Sequence, residues 1–141
     1  MDGITFLEHT ADVKFVVKGK DISDCFKKAT IGFYTVMCDI NKVKTNKELK
    51  IHIQANSLEA LLYDYLTELI FYLDTENFLA GEVLSLNIKK TEDSYELNAD
   101  LLGQEIKSIE DLEVYSYVKS ATYSDMKIDT QKNEMTIVLD I

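Results

Sequence analysis

LKIHIQANSLEALLYDYLTELIFYLD, residues 49–74, changes its hydrophobic period once, and that change sets the reading of the whole chain. Leu49, Ile51 and Ile53 alternate with Lys50, His52 and Gln54, which is the pattern of a strand with one buried and one wet face. Asn56 and Glu59 then stand at the spacing of a capping box. Beyond them Leu58, Leu61, Leu62, Tyr65, Leu66, Leu69, Ile70 and Leu73 form a broad apolar stripe, which predicts a helix running to Asp74.

Upstream, residues 13 to 18 predict a strand, and Asp21 with Asp24 offers an N-cap with an acidic residue three positions on. Ile22, Phe26, Ala29, Phe33, Val36 and Met37 continue from there at helical spacing to about Asp39. Downstream the pattern is all strand. Leu84, Leu86 and Ile88 alternate, as do Tyr95, Leu97, Ala99 and Leu101, with Thr91 to Ser94 as the turn between them. Val114 to Val118, Met126 to Ile128 and Met135 to Leu139 read as three more short strands, the last two joined by a turn at Gln131 to Asn133. The order is βα, βα, then a run of strands. It predicts an α+β fold: a mixed or antiparallel sheet, in layers, with two principal helices packed on one face.

Proline is absent and glycine sparse, and no linker-like stretch divides the 141 residues, so one domain spanning 1–141 is expected. The 46% hydrophobic content suffices for a core. The net charge is −10, from 25 acidic and 15 basic residues, and every basic residue is a lysine. A chain with that charge and no arginine is poorly suited to grip phosphates, so neither direct nucleic-acid binding nor an anionic membrane surface is expected. The start of the chain shows no basic stretch followed by an apolar run, and no apolar segment approaches the ~20 residues of a membrane span. Cys25 and Cys38 are 13 positions apart, without metal or redox spacing. A reduced, cytoplasmic protein is the expectation.

Two stretches place carboxylates at a strand end: Glu8-His-Thr-Ala-Asp12, just before the first predicted strand, and Asp140-Ile141 after the last. As the final residue, Ile141 is expected to add an α-carboxylate to the Asp140 side chain. If folding brings Asp12 to the same edge, three anionic groups converge, and such a cluster favours a cation. Oxygen donors of this kind suit calcium or magnesium, whereas zinc would call for His9 and further nitrogen or sulfur ligands. The bland reading of each group is that of a solvated surface acid. His52 reads as a surface residue on its strand, Cys25 and Cys38 as packing residues, and Tyr115, Tyr117 and Tyr123 as fillers of sheet faces rather than a platform for bases. Gly19 and Gly32 stand alone, and no phosphate-cradling loop or nucleophile motif occurs, so no catalytic residue is assigned.

Four segments in register resemble one family. They are His9-Thr-Ala-Asp12; Glu59-Ala-Leu-Leu62 leading to Asp74-Thr-Glu76; Lys119-Ser-Ala-Thr-Tyr-Ser-Asp-Met-Lys-Ile128; and Val138-Leu-Asp-Ile141. Together they look like an archease over essentially the whole chain. The resemblance implies a non-catalytic protein cofactor of the tRNA-splicing RNA ligase, which joins a 2′,3′-cyclic or 3′-phosphate end to a 5′-hydroxyl. In that family the archease promotes the ligase's guanylyl-histidine intermediate and multiple turnover. The resemblance further implies a divalent metal ion, usually calcium, at Asp12, Asp140 and Ile141. It implies a partner-facing surface that includes Lys119 with Asp12 and Asp140. Many members carry histidine where this chain has Ser124, though others lack it too, which weakens a metal-ligand or acid role for that position here. The competing readings are a small metal-dependent hydrolase built on His9, Asp12 and Asp140, a general chaperone, and a direct tRNA binder. They predict, in turn, turnover by the isolated chain, suppression of aggregation, and steeply salt-dependent RNA affinity.

Overall fold

The computed structural model describes residues 3–7, 12–108 and 110–141. His9, weighed above as a ligand, lies outside the described residues, as do Glu8, Thr10 and Ala11. The elements in chain order begin with strands β1 (Ile4–Leu7) and β2 (Asp12–Lys18), helix α1 (Ile22–Thr35) and strand β3 (Lys47–Ala55). They continue with helix α2 (Leu58–Glu76) and strands β4 (Phe78–Lys90), β5 (Tyr95–Glu105), β6 (Ser120–Ala121), β7 (Lys127–Asp129) and β8 (Glu134–Asp140).

Both helices start where hydrogen-bonding side chains can take the orphan amides. Asp21 accepts the Asp24 N–H at 2.8 Å, and Asp24 in turn accepts the Lys20 N–H at 2.9 Å. That backbone bond, helped by Lys28, holds the Asp24 carboxyl below its ordinary pKa. For α2 the cap is Ser57, which accepts from the Ala60 N–H at 3.1 Å, one residue later than the Asn56 read from the sequence. Either residue sits three positions before a helical amide, so spacing alone could not separate them. The helix runs past Asp74 to Glu76 and ends on Asn77 in the left-handed region, φ 53°.

The strands divide between two sheets, and every pairing among the described residues is antiparallel. One sheet has the order β1-β2-β8-β6 with β7 also on β8, and the other has the order β3-β5-β4. The α+β class and the two helices stand as read. What the element order left open is settled by packing: α1 lies against β2 and β8 of one sheet and β4 of the other, and α2 against β3, β4 and β5 as well as β6 and β7. The apolar stripes Phe26, Ala29 and Phe33 of α1 and Leu62, Leu66 and Leu69 of α2 are fully buried there, with Phe15, Val17, Met135, Ile137 and Leu139 from the larger sheet. A β-carbon on Gly32 would overlap the Phe15 ring, so glycine at this point lets α1 settle onto β2.

Two strand readings change. Val114 to Val118 is not a strand: Val114 makes a single bridge to Cys38, the Tyr115 N–H donates to the Met37 carbonyl at 2.7 Å, and the Ser116 hydroxyl to the Val36 carbonyl at 3.1 Å. The segment is held by carbonyls just beyond the end of α1, which its β-favouring residues could not announce. In β4, the alternation of Leu84 with Leu86 is broken by a register shift between Val83 and Ser85, so Leu86 is buried while Leu84 is 52% exposed.

Candidate acidic site at the end of the five-stranded sheet

Asp12 opens β2 and Asp140 closes β8, and because the two strands are antiparallel these opposite ends of the sequence become Cα partners. The next strand over places Ser120 opposite Asp140. Residues directly opposite one another share a face, so Asp12, Asp140 and Ser120 form one row across three strands. The core explains why this face looks outward. Val13, Phe15 and Val17 alternate with Asp12, Lys14 and Val16, and Phe15 and Val17 are wholly buried, as are Met135, Ile137 and Leu139 opposite.

The Ser120 hydroxyl donates to Asp140 Oδ2 at 2.7 Å, and the Lys119 N–H donates to the Asp140 carbonyl at 2.8 Å. Lys119 is therefore brought beside the acids through its backbone, with its side chain exposed. Asp140 is half-buried and Ile141, the residue after it, is 40% exposed. Two residues further along β2, on the same face, Lys14 points its ammonium to Asp125, 3.9 Å away. Asp125 belongs to the turn after β6, and Tyr123 of that turn stacks on Tyr63 of α2 with ring centroids 4.3 Å apart and planes 9° from parallel.

As a cation site the arrangement fits in kind. Two carboxylates and a hydroxyl form an all-oxygen set of the sort that hard divalent ions prefer. Among the described residues no group of three or more His, Cys, Asp or Glu side chains lies close enough together to hold a metal. Of the residues named from the sequence, Asp12 and Asp140 are Cα partners, Lys119 reaches Asp140 through its backbone, and Ile141 follows Asp140 in the chain. The sequence reading missed Ser120, whose only signal was its place beside Lys119.

Other readings are settled by exposure. His52 is on the surface, with Nδ1 2.9 Å from Asn98 Oδ1. Cys25 and Cys38 are buried and free, and burial pushes the Cys38 thiol up to about 11. The tyrosines do not fill sheet faces: Tyr115, Tyr117 and Tyr123 are 60%, 50% and 53% exposed. They lie on the segment between β5 and β7, whose described residues contribute the two residues of β6 to a sheet. No helix among the described residues is long and apolar enough to cross a membrane.

The acids of the smaller sheet are arranged differently. Asp100 lies across from Lys50, with Nζ to Oδ2 at 3.9 Å, and hydrogen bonding to Asp100 pushes the Glu48 carboxyl up. At the end of that sheet Lys47 bridges Glu105 and Glu76, at 2.9 Å from Glu76.

These features define a class: a two-sheet α+β protein whose first long strand and last strand meet in an acidic tip. The profile of the Archease protein family (MTH1598/TM1083) matches residues 5–141, and the chain belongs to that family. It is 36% identical over 122 residues to the protein archease of Thermococcus gammatolerans, covering 86% of this chain and 84% of that one. To the protein archease of Methanothermobacter thermautotrophicus it is 34% identical over 128 residues, 91% of this chain and 89% of that one. The solution structure of Methanobacterium thermoautotrophicum protein 1598 superposes with a TM-score of 0.84 at 30% identity and full coverage of both chains. A Thermotoga maritima crystal structure titled an archease, possible chaperone, has a TM-score of 0.58 at 14% identity, over 96% of this chain and 94% of that one, a likeness of fold.

Proposed function

We propose that this chain activates the tRNA-splicing RNA ligase by presenting its acidic tip to the ligase active site. The observation that supports this is the pairing of Asp12 with Asp140, which sets two carboxylates on one face at the end of a sheet. Two facing carboxylates favour a cation or a partner's positive centre beside them. Asp12 and Asp140, with the Ile141 α-carboxylate, would hold a divalent cation such as calcium. Bound there, the ion supplies positive charge at the point of contact. Lys119, exposed beside the tip, belongs to the same partner-facing surface.

The chain's own part is binding and orientation, with the ligase carrying out the bond-making steps. A tip that fits the ligase better when its histidine is aligned for guanylylation shifts the population toward that state by the difference in affinity. RNA contact is left to the ligase, in keeping with a charge of −10 and no arginine. The cytoplasm, where thiols stay reduced, suits the free cysteines.

The deciding experiment is a multiple-turnover RNA ligation assay with the cognate ligase, with and without the chain. Stimulation by the wild type, and its loss in folded Asp12→Ala or Asp140→Ala, is the expected result. Full stimulation by either folded variant would reject the tip. RNA ligase rates unaffected by the wild-type chain would reject the function.

A further inference from the structure

We infer that Ser120 is a positioning residue for the acidic tip, its hydroxyl fixing the Asp140 carboxylate in the orientation that meets a ligand. The inference deepens the reading above and rests on it for its biological meaning.

The Asp140 side chain projects from the last residue of a strand, and an aspartate there that lacks a hydrogen-bond partner can sample three staggered χ1 wells. The Ser120 hydroxyl removes that freedom with a 2.7 Å bond to Oδ2, short as a bond to an ionised acceptor should be. Ser120 can do this because its neighbours are fixed. Val118 and Ala121 are 1% and 7% exposed, α2 packs on β6, and the Lys119 N–H is tied to the Asp140 carbonyl. The two-residue strand is thus anchored on both sides of Ser120, and the half-buried hydroxyl faces the acid in the row Asp12, Asp140, Ser120.

The choice of donor matters as much as its place. A lysine opposite Asp140 would hold it as firmly, but would cancel the charge the tip exists to present. A serine donates one hydrogen bond and adds no charge, so orientation is gained and the tip stays negative. At the end of the smaller sheet a lysine takes that role, as Lys47 does for Glu76 and Glu105.

The test compares wild type with Ser120→Ala and Ser120→Thr. Three-bond scalar couplings that report χ1 of Asp140 are measured by NMR on the isolated, cation-free chain, and ligase stimulation is measured as a function of chain concentration. Wild type and Ser120→Thr are expected to hold Asp140 in one rotamer and to stimulate alike. Ser120→Ala is expected to give averaged couplings and to need about tenfold more chain for half-maximal stimulation, the usual scale for losing an outer partner of a binding carboxylate. A single Asp140 rotamer in Ser120→Ala would overturn the inference. So would a Ser120→Thr variant as impaired as Ser120→Ala, or averaged couplings with undiminished stimulation. Failure of the wild type to stimulate any ligase would reject the proposed function alone, since the couplings decide the role of Ser120 without the partner.

Discussion

On the three-stranded sheet Asp100 stands across from Lys50, and at that sheet's end Lys47 bridges Glu105 and Glu76. At the end of the five-stranded sheet Asp140 instead stands between a second aspartate and a serine. Both are rows of polar side chains on one face of an antiparallel sheet, and the same cross-strand rule applies to each. Opposite charges facing one another stabilise by a few tenths of a kcal/mol to about 1, and like charges facing one another do the reverse. A row that favours the fold needs no further explanation. Where two carboxylates face one another at a sheet end, a cation or a partner's positive group can be accommodated beside them.

The sharpest way to break this contrast is to take the charge from the tip while keeping its shape. Asp140→Asn should abolish ligase stimulation and at the same time leave stability unchanged or raise it by up to about 1 kcal/mol, as read by urea denaturation. A clear loss of stability with stimulation retained would show that the row serves the fold after all. Fusing a tag after Ile141 should lower stimulation severalfold, because it turns the expected α-carboxylate into an amide, whereas the same tag before Met1 should not. Equal activity of the two tagged forms in one ligation assay would remove Ile141 from the site.

The opposite behaviour is expected on the smaller sheet. Lys47→Ala should leave ligase stimulation at the wild-type level and lower the denaturation midpoint slightly, and less so in high salt, where the exposed bridge is already screened. Lost stimulation in this variant would mean that the two ends of the molecule are coupled.

The pH dependence of stability should likewise come from acids that serve the fold. Hydrogen bonding to Lys47 holds the Glu105 carboxyl below its ordinary value, and the Lys107 and Ser108 amides do the same for Asp111, as Lys20 does for Asp24. A lowered carboxyl contributes stability that is present above its unfolded pKa and is lost as pH falls through the lower, folded one, so the midpoint should drop below about pH 4. Glu48 has the other sign: its carboxyl is pushed up by Asp100, so its contribution is present below the unfolded pKa and is lost as pH rises through the raised one. Glu48→Gln should remove that second, smaller slope in a denaturation series across the carboxylate range. An unchanged slope would show that the Glu48 and Asp100 carboxyls do not interact in solution.

The smallest effect concerns the thiols. With both cysteines buried, and burial raising both thiols, a disulfide reagent at neutral pH should react slowly with the native chain and fully only after unfolding.

Much of this was legible before any coordinates. The helices were, because an apolar stripe at a 3.6-residue period has one economical burial and caps can be read three residues ahead. Strands β2, β3, β5 and β8 were, because alternation marks a half-buried ladder. Segment 114–118 carries strand-favouring residues and yet docks on the end of α1, since a strand also needs an edge to pair with, and edges are not a local property. The bulge in β4 that turns Leu84 outward was hidden for a like reason: an extra residue changes the pairing without changing the composition.

The sequence by itself determined which residue types were at hand for a tip: carboxylates at two strand ends, one near each end of the chain, with lysine as the only fixed cation. Only the tertiary structure decided that they meet. Pairing β2 with β8 in antiparallel register is fixed by burying Phe15 and Val17 beside Met135, Ile137 and Leu139. A slip of one residue would turn all of those side chains to solvent, so the core sets the register, and the register places Asp12, Asp140 and Ser120 in one row.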